Sequence, residues 1–291
     1  MTIAFALFRA VQFAGLTVLF GAGAFAWIAR ARRGVDARLS RRVFIVATIA
    51  ALVSAVVCLG FVTEEMAGEP GAMFDPATLW AVASDTLYGR VALLRLAFLG
   101  LCLISTLAWP QQRDVAATVL GGYALALLGL TSHAAAAGPS QYEFVRAGND
   151  AVHLLAAAFW IGGLAALLPA ALATPRDVPK LVSLLRLFSG FGAAAVAMLI
   201  VSGTLSGYLI LFLTGMGWSG TYIAWLAVKL VLAGVMIALA LTNRFGVLPG
   251  LARGEREAAD TIPLTVIAEL SCAALILLAG GFLGITAPMQ M

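Results

Sequence analysis

The chain is 291 residues long, 62% hydrophobic and only 11% charged, with a mean hydropathy of +1.01. A soluble domain of this length needs far more polar surface, so these values exclude one and point to an all-α, polytopic protein seated in a lipid bilayer. The formal net charge of +4 sits in loop arginines and reflects membrane orientation; no nucleic-acid partner is implied.

A hydrocarbon core of about 30 Å needs roughly 20 apolar residues per helix. Eight segments meet that length, near 4–28, 43–62, 88–108, 115–137, 147–173, 184–213, 222–242 and 264–286, and residues 1–291 read as one integral-membrane domain. Backbone groups in lipid must be satisfied internally, and the runs lack the alternation of outer-membrane strands, so a helical bundle is expected. The first run, Ile3 to Ile28, is too long for a cleaved signal and has no basic stretch ahead of it, so it is expected to stay as the first span. Residues 30–42 follow it and carry six arginines against Asp36. Later loops on that side hold Arg113, Arg176, Lys180, Arg244, Arg253 and Arg256, which makes that face cytoplasmic and both termini periplasmic.

The loop after the second span has the opposite character. It carries Glu64, Glu65, Glu69, Asp75 and Asp85 with no basic residue, and exposes Met66 and Met73. Such a mouth concentrates cations, although outer loops are also acidic for topological reasons. Pro76 to Ala83 reads as a short interfacial helix anchored by Trp80. The third and seventh spans open alike: Tyr88 precedes Arg95 by seven residues and Tyr222 precedes Lys229 by seven, a short repeat that puts each cation below its tyrosine on one helical face. Charges inside spans call for partners; Arg9, Arg90 and Arg95 are matched by Asp85 or Asp150, and Glu269 by Arg186 or Arg244. Cys58, Cys102 and Cys272 stand alone in apolar runs, which supports neither a disulfide framework nor a zinc site.

The fourth and fifth spans hold the only two histidines, His133 and His153, on either side of one short polar loop. At a rise of about 1.5 Å per residue the two rings lie about 6 Å and 9 Å inside their helix ends, so they share a plane. Asp150, His153, Ala157 and Trp160 form one helical stripe, with the carboxylate a turn outward of the imidazole, where it orients the ring or joins it as a ligand. Imidazole suits copper, zinc, iron and nickel, and thioether sulfur selects Cu(I), so a histidine pair near Met66, Met73 or Met216 favours copper. The competing reading makes each histidine an interhelical hydrogen-bond partner.

Several stretches in order carry a resemblance: SHAAAAGP followed by DAVHLLAAAFWIGGL, DTLYGRVALLRL, LRLFSGFGAAAVAMLIVSGTLSGYL, AVKLVLAGVMIALALTNRFGVLP, and the final IAEL and LGITAP. Together they resemble the CopD copper-resistance family of bacterial inner-membrane proteins over about Asp85 to Pro288. The resemblance implies copper handling at or across the inner membrane, with a functional role for His133 and His153 and a weaker one for Asp150, Trp160, Arg95, Lys229 and Asn243. It also implies a small periplasmic copper-binding partner, CopC, acting in trans, since no CopC-like β-domain is expected outside the spans. The second tyrosine element departs from the pattern as Thr221-Tyr222-Ile223-Ala224.

The expected metal site is therefore His133, His153 and Asp150 with Met66 or Met73, and the expected function is copper uptake at the periplasmic side and passage across the membrane. Two alternatives stand beside it: a haem protein with both imidazoles as axial ligands, and a copper sensor or scaffold that moves nothing. No GxxxxGK[ST] motif occurs, so a gradient or metal exchange would drive transport, and no constellation supports an enzyme.

Overall fold

A computed structural model describes residues 3–131, 142–173, 177–214 and 219–286. The described residues are about 90% helical and contain no strand. Nine helices are seen among them. The eight long enough and apolar enough to cross a membrane are α1 (Ile3–Arg33), α2 (Arg41–Ala67), α4 (Leu87–Ala108), α5 (Arg113–Thr131), α6 (Glu143–Leu172), α7 (Val178–Thr214), α8 (Gly220–Ala252) and α9 (Arg256–Leu283). The ninth, α3 (Pro76–Asp85), is the short helix expected in the acidic loop; the Asp75 carboxylate caps it by accepting from the Thr78 amide at 2.9 Å, and Trp80 is exposed.

Helix ends follow local chemistry more than hydropathy. Ser40, Thr86 and Ser219 cap α2, α4 and α8 by accepting from amides three residues on, which satisfies donors that a helix start leaves open. Gly34 and Gly68 end α1 and α2 in the left-handed conformation, at φ 64° and 69°. α9 begins eight residues before the apolar run expected from 264 and so places Glu269 at mid-helix instead of a turn from one end, and α8 runs ten residues past the expected 242 to Ala252.

α1 is the axis of the bundle. It packs against α2, α5, α6 and α9, and glycines set the closest approaches. A Cβ on Gly21 would overlap the Ala158 carbonyl of α6, one on Gly162 would meet the Thr17 carbonyl of α1, and one on Gly281 would overlap the Ala6 carbonyl. The contact with α6 falls where α1 loosens into a π-turn at Val18–Ala22. Two large apolar cores and a small one result: one joins α1, α2, α4, α5 and the middle of α6, another joins the far end of α1 with α6, α7, α8 and α9, and the small one seats α3 on α2 and α4.

The arginine-rich loops gather at one end. Arg30 Nη1 donates to Asp114 Oδ2 at 2.8 Å, tying α1 to α5; Arg41 donates to the carbonyls of Thr106 and Leu107; and Arg113 reaches the Leu39 carbonyl at 3.1 Å. Asp114 is fully buried, so this pair is a structural clasp. Arg38 grips Asp36 through its backbone amide, Nε and Nη2 and holds its carboxyl down at about 2. The acidic loop and α3 lie at the opposite end, where hydrogen bonds from Thr78 keep the Asp75 carboxyl below the usual carboxylate range.

Candidate copper site

His153 lies on the face of α6 that meets α7. Its Nδ1 is 2.9 Å from Ser202 Oγ, and that hydroxyl lies 2.6 Å from the Met198 carbonyl. A serine hydroxyl has one proton. With that proton given to the Met198 carbonyl, which can only accept, Ser202 accepts from His153 and Nδ1 carries the imidazole proton. The neutral ring then presents the lone pair of Nε2, which has no hydrogen-bond partner among the described residues. Fixing one nitrogen so that the other can bind is how a ligating histidine is usually oriented.

The residues around it form one polar layer between α6, α7 and α8. Asn149 Nδ2 donates to the Ser202 carbonyl at 2.9 Å and to Ser206 Oγ at 2.7 Å; Ser206 Oγ in turn lies 3.4 Å from Asp150 Oδ1. Lys229 of α8 is close enough to interact electrostatically with both Asp150 and His153, and Tyr222 with Asp150. Gly203 opens the space beside the ring, since a Cβ there would stand 3.6 Å from His153 Cε1.

Of the expected site residues, Asp150 and His153 share this layer as their spacing required. His133 and Met216 lie outside the described residues. Met73 packs against Gly60 of α2, while Met66 is exposed at the end of α2; both belong to the first half of the chain, and no described contact joins either to His153. No group of three or more His, Cys, Asp or Glu side chains suited to a metal occurs among the described residues. The ion pairs expected inside the spans are replaced by other contacts. Arg95, 1% exposed, lies close to Tyr88, with Nε and Nη1 buried and no hydrogen bond to either among the described residues; Arg9 lies over Phe5 and Phe13; and Glu269 accepts from Asn243 at 2.7 Å, while Arg244 donates to the Ser189 carbonyl. Ser202, Ser206 and Asn149 were not singled out from the sequence. The available signal was the doubled Ser-Gly at 202–203 and 206–207, which puts two hydroxyls and two gaps on one helical face.

Residues 1–142 match the family described as copper resistance protein D-like, N-terminal domain, and residues 182–283 match copper resistance protein D. The chain is 32% identical to copper resistance protein D of Pseudomonas syringae pv. tomato over 303 aligned positions, covering 96% of each chain. It belongs to the copper resistance protein D family. The chain is also 27% identical to inner membrane protein YebZ of Escherichia coli K12, covering 86% of this chain and 87% of that one. No solved structure matches. Membership in this family fits a multi-pass membrane protein with a copper-related function, and the two family matches fall on either side of the α6 segment that carries His153.

Proposed function

We propose that this protein accepts a copper ion at His153 on the acidic, periplasmic face of a bacterial inner membrane and passes it across the bilayer along the seam between α6, α7 and α8. The observation that carries this reading is the oriented imidazole: Ser202 holds Nδ1–H, and the Nε2 lone pair stays open inside a membrane bundle beside Asp150. An ionisable or ligating group at such depth is retained for function more often than for packing. Family membership supports copper as the cargo, and the arginine-rich end supports both termini being periplasmic.

His133 is the second imidazole in this reading. Met73 is engaged against Gly60, which leaves exposed Met66 as the thioether free to move toward an incoming ion. A CopC-like protein in trans would deliver copper at the acidic face. Binding and release are all that the reading asks of the side chains, so the protein is proposed as a carrier and not an enzyme.

The test pairs copper binding to purified protein with cellular copper content. His153→Ala should abolish both binding and the change in copper content, while Ser202→Ala, which frees the ring without removing it, should weaken binding by about 10- to 100-fold. Wild-type stoichiometry in His153→Ala would overturn the assignment, and a Soret band in the purified protein would replace copper with haem. For orientation, a cysteine placed at Gly34 should resist labelling from the periplasm of intact cells.

A further inference from the structure

Toward the arginine-rich end from the His153 layer, α6, α7, α8 and α9 surround a cavity of about 190 Å³. Trp160, Leu164, Phe188 and Val266 give it a mostly apolar wall, into which Glu269 of α9 and Asn243 of α8 are set. Glu269 is 1% exposed. Its Oε1 accepts from Asn243 Nδ2 at 2.7 Å, whereas Glu269 Oε2 and Asn243 Oδ1 are buried with no hydrogen-bond partner among the described residues. Asn243 opens the π-turn Asn243–Val247 in α8, a local distortion of the kind that recurs at functional sites.

Every charged group on the wall can be named. Arg244 is the only one besides Glu269 among the described lining residues, and its Nη1 donates to the Ser189 carbonyl at 3.0 Å while its guanidinium lies over Phe245. α6 and α7 bring no charged side chain to the cavity, α1, which also packs on α9, contributes nothing to the lining, and Arg186 points to the exterior. The carboxyl group therefore faces a mostly apolar space with no ion pair to Arg244, whose guanidinium is engaged elsewhere, an arrangement that is costly for an anion.

Three kinds of positive charge could relieve that cost. A hard metal ion takes about six oxygen ligands, and two acceptor atoms stand free here. Copper prefers nitrogen and sulfur, and the wall offers neither an imidazole nor a thioether. A proton needs one oxygen. We propose that Glu269 binds and releases a proton inside this cavity, with Asn243 holding one carboxyl oxygen so that the other is the site of protonation. The cavity has room for a few water molecules at about 30 Å³ each. The proton is taken from a cavity hydronium, leaving water, and is returned to water to regenerate the carboxylate. Its role as coupling ion for copper movement rests on the transport reading above; the protonation does not.

The test uses full-length protein reconstituted in liposomes, with infrared difference spectra recorded as the pH is stepped through neutrality. A protonated carboxyl band should appear and vanish reversibly, be lost completely in Glu269→Gln, and shift its midpoint in Asn243→Ala, which a purely packing role for Asn243 would not do. Glu269→Gln keeps the Asn243 contact, so it should fold and bind copper with wild-type affinity. In copper flux assays a transmembrane pH gradient should accelerate the wild-type protein and leave Glu269→Gln unaffected. The proposal is overturned if no Glu269 band titrates, if sodium alone moves the band at constant pH, or if Glu269→Gln loses copper binding. A titrating band in a wild-type protein that binds no copper would keep the proton site and remove the transport reading.

Discussion

The first four spans and the last four are assembled differently, and Arg95 and Lys229 mark the difference. In the first half, α1, α2, α4 and α5 close on one another, and half of the most apolar stretch of α2 is buried. Arg95 is sealed there at 1% exposure against Tyr88. In the second half α8 rests chiefly on α9, and only 6% of its most apolar stretch is buried. Lys229 is half-buried beside Asp150 and His153, and the cavity with Glu269 lies in the same four-helix group. The difference is one of packing: the first half is closed on itself, and the second leaves α8 largely uncovered and a cavity between its helices.

The sharpest way to break this comparison is to overpack each half. Gly21→Ala drives a methyl group into the Ala158 carbonyl and should cost more than about 3 kcal/mol of unfolding free energy in detergent, because backbone must move. Gly234→Ala in α8 meets nothing within 4 Å and should change stability by less than about 1 kcal/mol. Equal effects would remove the distinction between a packed half and a loose one.

Charge removal gives the next largest effects. Asp114→Ala should cost about 2 to 3 kcal/mol, a value reduced from the fully buried case because Arg30 is 37% exposed. Tyr88→Phe removes the hydroxyl dipole beside the buried Arg95 and should cost about 1 kcal/mol with copper binding unchanged. Lys229→Met should do the reverse, altering copper binding at the adjacent layer while shifting stability by less than about 1 kcal/mol. If Lys229→Met proves the more destabilising and leaves copper binding intact, the contrast between the two halves is reversed.

The smallest effect belongs to the loop pair Arg38–Asp36. Asp36 is depressed to about 2, below its unfolded value of about 3.9, so the pair stabilises the fold above pH 4 and loses that contribution as pH falls from about 4 toward 2. Because Asp36 is half exposed, Asp36→Asn should cost under about 0.5 kcal/mol at pH 7, and the difference between the variants should disappear near pH 2. A larger loss would mean that the loop stabilises the bundle end more than its exposure suggests.

Much of the architecture was legible because lipid leaves a chain few choices. Unbroken apolar runs of bilayer length must be helices, and the arginine loops and the acidic mouth were separated along the chain before any contact was known. That Asp150 and His153 lie on one helical face was equally readable, since one helical turn fixes it, but the contact to His153 Nδ1 comes from Ser202 of the neighbouring helix. Span ends were less so: α9 starts two turns ahead of its apolar run because a helix continues through polar residues until a cap or glycine stops it. The partners of buried charges were misjudged. Opposite charges attract on paper, yet Arg95 lies beside a phenol and Glu269 accepts from an amide, because a buried group meets whatever polar neighbour the bundle presents at that height.

The sequence by itself determined an all-helical membrane protein and a His-Asp stripe on one span, since these follow from composition and from spacing within a single helix, and the resemblance of its ordered motifs pointed to the copper-resistance family. Only the tertiary structure decided that Ser202 holds the histidine tautomer, that Met66 and Met73 lie apart from it, and that Glu269 and Asn243 face a common cavity. These placements depend on how helices distant in sequence rotate and approach, and glycine contacts such as Gly21 on Ala158 set that approach through shape, which no single-helix periodicity records.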